Sequence, residues 1–124
     1  MAVKTIYTDQ APEPIGPYSQ AKLVDGTLYV SGQIGLDPAT GKMAGDDVAA
    51  QAKQVMINLA AILKAAGKSF DDVVKTTCLL TDMSTFTTFN DIYAQYASSK
   101  PARSTFAVTA LPANALVEVE LVAD

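Results

Sequence analysis

The chain has no histidine, no tryptophan, one cysteine and one arginine. Without histidine no Ser-His-Asp or Cys-His nucleophilic centre can form. With a single thiol as well, zinc has none of its usual ligand sets, so no metal is expected. Cys78 lies inside the apolar run from Val73 to Leu80 and cannot form a disulfide within the chain. A reducing compartment fits that composition, and a secreted disulfide scaffold does not. Basic blocks are missing too: the net charge is −4 at pH 7. This argues against nucleic acid, whose binding is driven by Lys and Arg neutralising phosphates. Lys4 and Asp9 interrupt the start, so no signal peptide is expected. The longest helical pattern carries Lys53 and Lys64, so neither is a membrane span. The expected location is the cytoplasm.

What is present is enough for a core. With 124 residues, 49 % of them hydrophobic, one domain spanning 1–124 is expected. Thr5 to Thr8 reads as a short edge strand, and the proline-rich segment from Ala11 to Pro17 should run extended. Asp25-Gly26 between Ser19–Val24 and Thr27–Ser31 is a two-residue hairpin signal, because a type I′ turn needs positive φ at both positions. A glycine-rich connection runs from Gly32 to Gly45. A helix follows, capped by Asp46 or Asp47 and ended by Gly67, with Val48, Ala52, Val55, Leu59, Ile62 and Ala66 on one stripe. Ser69 to Asp72 resembles a capping box, and β-branched Val73–Leu80 reads as a central strand. Ser84 is expected to cap a second helix with the stripe Phe86, Phe89, Tyr93 and Tyr96. Strands Thr105–Leu111 and Leu116–Val122 close the chain, joined through Pro112-Ala113-Asn114. The expected class is α+β: a mostly antiparallel sheet with two helices packed on one face.

Two positions stand out chemically. Arg103, in Pro101-Ala102-Arg103-Ser104-Thr105, is placed just ahead of a strand. Eight lysines already meet the generic need for positive charge, while a planar guanidinium suits bidentate grip on a carboxylate or phosphate. A surface arginine in a rim ion pair is the plain alternative. In the last strand Val117, Val119 and Leu121 share one face, and Glu118 and Glu120 share the other with Leu116 and Val122. That second face carries two of only three glutamates. It would be wet in a monomer, and would hold a carboxylate near an interface if the sheet packs on another subunit. Other signals carry little. Gly35 to Lys42 lacks both P-loop spacing and its hydroxyl, and Asp46-Asp47 and Asp71-Asp72 suit helix caps better than metal. The aromatic stripe is read as core, and Cys78 as a small buried hydrophobe.

The remaining pieces are Ile15-Gly16-Pro17-Tyr18-Ser19-Gln20, Ser31-Gly32-Gln33-Ile34, Asn90, Pro101-Ala102-Arg103-Ser104-Thr105, and Leu111-Pro112 leading to Val117-Glu118-Val119-Glu120. In this order and spacing the chain resembles the RidA/YjgF (L-PSP) family of reactive-intermediate deaminases from Thr5 to Ala123. The resemblance implies a chorismate-mutase-like α+β fold forming a homotrimer around a central barrel, with three intersubunit clefts. It implies hydrolysis of 2-imino acids, tautomers of 2-aminoacrylate and 2-aminocrotonate, to 2-keto acids and ammonia without a cofactor. Carried over by motif, Arg103 would bind the substrate carboxylate and Glu118 would position the attacking water or move its proton. Tyr18 and Gly32 would shape the pocket, Asn90 would support it, and Thr105 would stand where many members have cysteine. The segment between Asn90 and Pro101 is shorter than in some members, which bears on the cleft rim.

The chemistry agrees with that carry-over. A 2-imino acid has one permanent anion beside one electrophilic carbon. An arginine that fixes the anion holds the carbon at a set distance from a water, and a desolvated glutamate is a suitable base. A non-enzymatic carboxylate binder or regulator is the competing reading, which needs only the arginine. A ribonuclease or translation inhibitor is the weaker one, since the chain lacks both a phosphate footprint and the usual acid-base pair.

Overall fold

The computed structural model describes residues 2–124 and folds them into one six-stranded sheet with two helices. In chain order the elements are β1 (Val3–Ile6), β2 (Ala21–Val24), β3 (Thr27–Gln33), α1 (Val48–Ala65), β4 (Val73–Leu80), α2 (Phe86–Tyr93), β5 (Ala102–Ala107) and β6 (Val117–Ala123). The spatial order is β1-β2-β3-β6-β4-β5. Four neighbour pairs are antiparallel, and β4 with β5 is parallel. That pair needs a crossover, which α2 supplies. The expected class, a mostly antiparallel sheet with two helices, describes the fold.

Local chemistry explains most boundaries. Asp25 (φ 49°) and Gly26 (φ 88°) make the left-handed turn of the β2–β3 hairpin. The Asp47 carboxylate caps α1 by accepting from the Ala50 N–H at 2.8 Å, and Gly67 at φ 73° ends it. Ser69 and Asp72 form the expected capping box just before β4. The first strand lies two residues earlier than the sequence suggests. Gln20 engages both the N–H and the carbonyl of Thr8, so the ladder cannot extend that far. Ser84 is not the cap of the second helix: the Asp82 carboxylate accepts from the Ser84 N–H at 2.9 Å, and a 3-10 turn over Met83–Thr85 leads into α2.

The largest correction concerns β5. It begins at Ala102, not Thr105, because its ladder runs from Lys75 opposite Ala102 to Leu80 opposite Ala107 and stops where β4 stops. Arg103 is therefore inside a strand rather than ahead of one. Beyond β5, the segment Pro112–Asn114 forms a 3-10 turn, with Ala113 and Asn114 both at φ 55°.

Both helices lie against one face of the sheet. Leu28, Val30, Cys78, Leu80, Val117, Val119 and Leu121 pack there with Val55, Leu59 and Ile62 of α1 and Phe89 of α2. The α1 stripe is buried as expected, with Ala66 only partly so. Truncating a fully buried aromatic such as Phe89 costs roughly 3–5 kcal/mol. The other face is bare: Tyr29 and Phe106 are about half exposed.

Candidate active site

On the bare face, β6 presents Glu118 beside the strand β3. The β3–β6 register slips by one residue between Val30 and Gln33, a bulge that contains Ser31 and Gly32. A Cβ on Gly32 would lie 2.8 Å from the Glu118 carboxyl carbon. Only glycine lets the carboxylate rest against the backbone there. Glu118 and Gly32 form part of the wall of a cavity of about 700 Å³, together with Tyr18, Ile15, Ala113 and Glu120. Burial raises the Glu118 pKa above the ordinary carboxylate value, and the negative charge of Glu120 raises it further. The cavity rim is tied down from below. Gln20, 2 % exposed, accepts from Thr8 N–H and donates to the carbonyls of Thr8, Ala11 and Pro12. The Tyr18 hydroxyl accepts from the Ile15 N–H at 3.1 Å.

Arg103 sits elsewhere. Its register partner is Thr76, whose side chain is buried under the helices. The guanidinium lies 4.8 Å from the Tyr93 ring centroid and 5.4 Å from that of Phe86. Nη1 donates to Asn90 Oδ1 at 2.7 Å. Arg103, Asn90 and Tyr93 border a second, more open hollow of about 480 Å³ that also touches Lys100 and Pro101. Thr105, two residues along the same face, has a buried hydroxyl oxygen that is the one unpartnered buried side-chain polar atom among the described residues. Burial pushes the Cys78 thiol up, so it stays protonated and inert.

Within one chain these halves do not meet. Arg103 aligns with Thr76 and Leu121, both in the core. Glu118 aligns with Leu79 and Phe106 on the bare face. Three residues of offset put the two side chains on opposite sides of the sheet, and their backbones stand about 14 Å apart at standard strand spacing. Tyr18, Gly32 and Glu118 are thus brought together on one side, and Asn90, Arg103 and Thr105 on the other.

The sequence did not point to Tyr93 and Thr76 as companions of Arg103, whereas it did place Glu120 on the same face as Glu118. The first pair depends on which strand lies next to β5, which sequence periodicity does not carry. The Glu118–Glu120 spacing was visible. Among the described residues no group of three or more His, Cys, Asp or Glu could hold a metal. Among the described residues no helix is long and apolar enough to cross a membrane.

Residues 8–124 match the family described as Endoribonuclease L-PSP. Over 121 residues the chain is 54 % identical to the 2-iminobutanoate/2-iminopropanoate deaminase of Bos taurus and 53 % identical to that of Homo sapiens, covering 97 % of this chain and 88 % of each relative. Among solved structures, YyfA of Yersinia pestis, a protein of the conserved Rid family, superposes with a TM-score of 0.95 at 47 % identity over 98 % of both chains.

Proposed function

This chain belongs to the endoribonuclease L-PSP family, the RidA/YjgF family, and on that premise we propose that it is a 2-iminobutanoate/2-iminopropanoate deaminase. Arg103 binds the carboxylate of a 2-imino acid through its fork, with Asn90 holding one Nη and leaving the remaining donors free. Glu118 takes a proton from water as the water oxygen attacks the imine carbon. It returns that proton to the nitrogen, giving a carbinolamine. It then moves the carbinolamine hydroxyl proton to the nitrogen as the C=O bond forms and the C–N bond breaks, releasing the 2-keto acid and ammonia. Tyr18 and Gly32 shape the water side of the cleft, and Thr105 contributes backbone contact on the arginine side. No cofactor is required, because an imine is already electrophilic. The observation that carries the reading is the Glu118 carboxylate seated on bare Gly32 at the wall of a cavity, with burial raising its pKa toward that of a working base.

The active assembly is a homotrimer, arranged as the chorismate-mutase-like barrel that the family resemblance implies, with sheets inward and helices outward. Two features support it. Arg103 and Glu118 lie on opposite faces of one sheet, so a site using both needs two chains. The bare face offers apolar Tyr29 and Phe106, with half-buried Val122, beside its glutamates. The chain acts as one domain, 1–124, in the cytoplasm. Nucleic acid is not a ligand: at net charge −4 any binding should be weak and vanish at moderate salt.

The direct test couples a threonine dehydratase to the protein and follows 2-ketobutyrate. Catalytic amounts should accelerate its appearance beyond spontaneous imine hydrolysis. An unchanged rate would refute the assignment and leave a carboxylate binder.

A further inference from the structure

Arg103 is supported by a ring that is itself fastened to the sheet. Tyr93, in the last turn of α2, is 8 % exposed, and Thr76 on β4 is 3 % exposed. Their hydroxyl oxygens lie 2.7 Å apart, a hydrogen bond buried from water. Thr76 is also the residue directly opposite Arg103 in the β4–β5 ladder. The contacts close a loop. The ladder fixes Thr76 beside Arg103, the Thr76 hydroxyl fixes the tilt of the Tyr93 ring, and the ring carries the guanidinium 4.8 Å above it.

Core packing alone does not explain the hydroxyls. Phenylalanine at 93 would fill the same space beside Phe89, whose ring centroid is 5.5 Å away. Replacing both partners of a buried hydrogen bond by apolar groups of similar shape is nearly neutral for stability. A ring without its tie can pivot, and a planar fork resting on it then loses its aim. For bidentate recognition, aim decides strength.

We infer that the Thr76–Tyr93 hydroxyl pair positions the Arg103 guanidinium for carboxylate binding. Both are positioning residues, since neither is placed against the reacting atoms. The inference rests on the reading of Arg103 as the carboxylate site. Carboxylate grip is made equally in ground and transition states, so loosening it should raise KM and spare kcat.

The lone arginine makes this testable without turnover. Labelling arginine with 15N gives guanidinium resonances from Arg103 only. In the wild type, held by Asn90 and the ring, the two Nη nitrogens should give separate resonances. In Thr76→Val and in Tyr93→Phe they should average to one, and in Thr76→Ser they should stay separate. The double variant Thr76→Val/Tyr93→Phe leaves no orphan hydroxyl, so it carries the test should a single variant fail to fold. With 2-iminobutanoate, the averaging variants should raise KM about three- to tenfold with kcat within about twofold, and Thr76→Ser should match wild type. Separate Nη resonances and unchanged KM in the double variant would overturn the proposal, as would Thr76→Ser behaving like Thr76→Val. If the wild type fails to turn over imine, the functional reading falls, and the nitrogen spectra still decide whether the pair holds the arginine.

Discussion

On the helix side of the sheet, Arg103 is enclosed by side chains: two aromatic rings and an amide that takes one of its donors. On the bare side, Glu118 rests on the backbone of a glycine in a β-bulge, with another carboxylate two residues along. The cation needs no desolvation change to stay charged, and its surroundings serve to aim it. The carboxylate needs the opposite treatment. Its environment makes the charged form costly, and a costly anion is a better base. In the proposed reading, one strand ladder supplies an anchor and a reactive group by different means, on opposite faces of the sheet.

Four substitutions break this contrast to different degrees. Glu118→Gln, nearly isosteric, should lower kcat by ~10²–10⁴ while the affinity for 2-ketobutyrate changes little. Steady-state kinetics beside calorimetric binding checks it, and full activity would leave water activation to backbone groups. Gly32→Ala places a methyl where the carboxylate rests, and the flexible end of Glu118 must give way. A shift near 1 Å should cost up to about a hundredfold in rate with little change in thermal midpoint. Arg103→Lys keeps the charge and loses the fork, so activity should fall by more than about tenfold. Its melting curve should stay near wild type, and normal turnover would make the arginine merely structural. The smallest effect is expected of Glu120→Gln. The proposed base works as the carboxylate, so the rate should fall as pH drops through the raised Glu118 pKa. Removing the Glu120 charge lowers that pKa, and the acid limb of the rate profile should move to lower pH with the plateau little changed. A limb that stays in place would show that burial alone sets the base.

Elements with their own local signals were legible in the sequence. The Asp25-Gly26 hairpin, α1 between Asp47 and Gly67, and β4 follow from turn chemistry, capping and β-branched runs. The alternation in β6 correctly separated Glu118 and Glu120 from buried Val117, Val119 and Leu121. Elements set by a neighbour were not. The β5 boundary follows from where β4 ends, and the β1 boundary from a glutamine twelve residues downstream of Thr8. The same limit applies to the site. Arg103 and Glu118 carried chemical signals of their own, and Tyr18, Gly32, Asn90 and Thr105 came only through the family resemblance. The opposition of Arg103 and Glu118 is a property of register across three strands.

The central claim is that Arg103 and Glu118 act together across two copies of the chain. Arg103→Ala and Glu118→Gln subunits, each nearly inactive alone, can be unfolded, mixed in equal amounts and refolded. If a site takes its arginine from one subunit and its glutamate from the next, random assembly should restore about a quarter of the wild-type rate. A mixture no more active than the sum of its two inactive parts would contradict the account and confine the chemistry to one subunit.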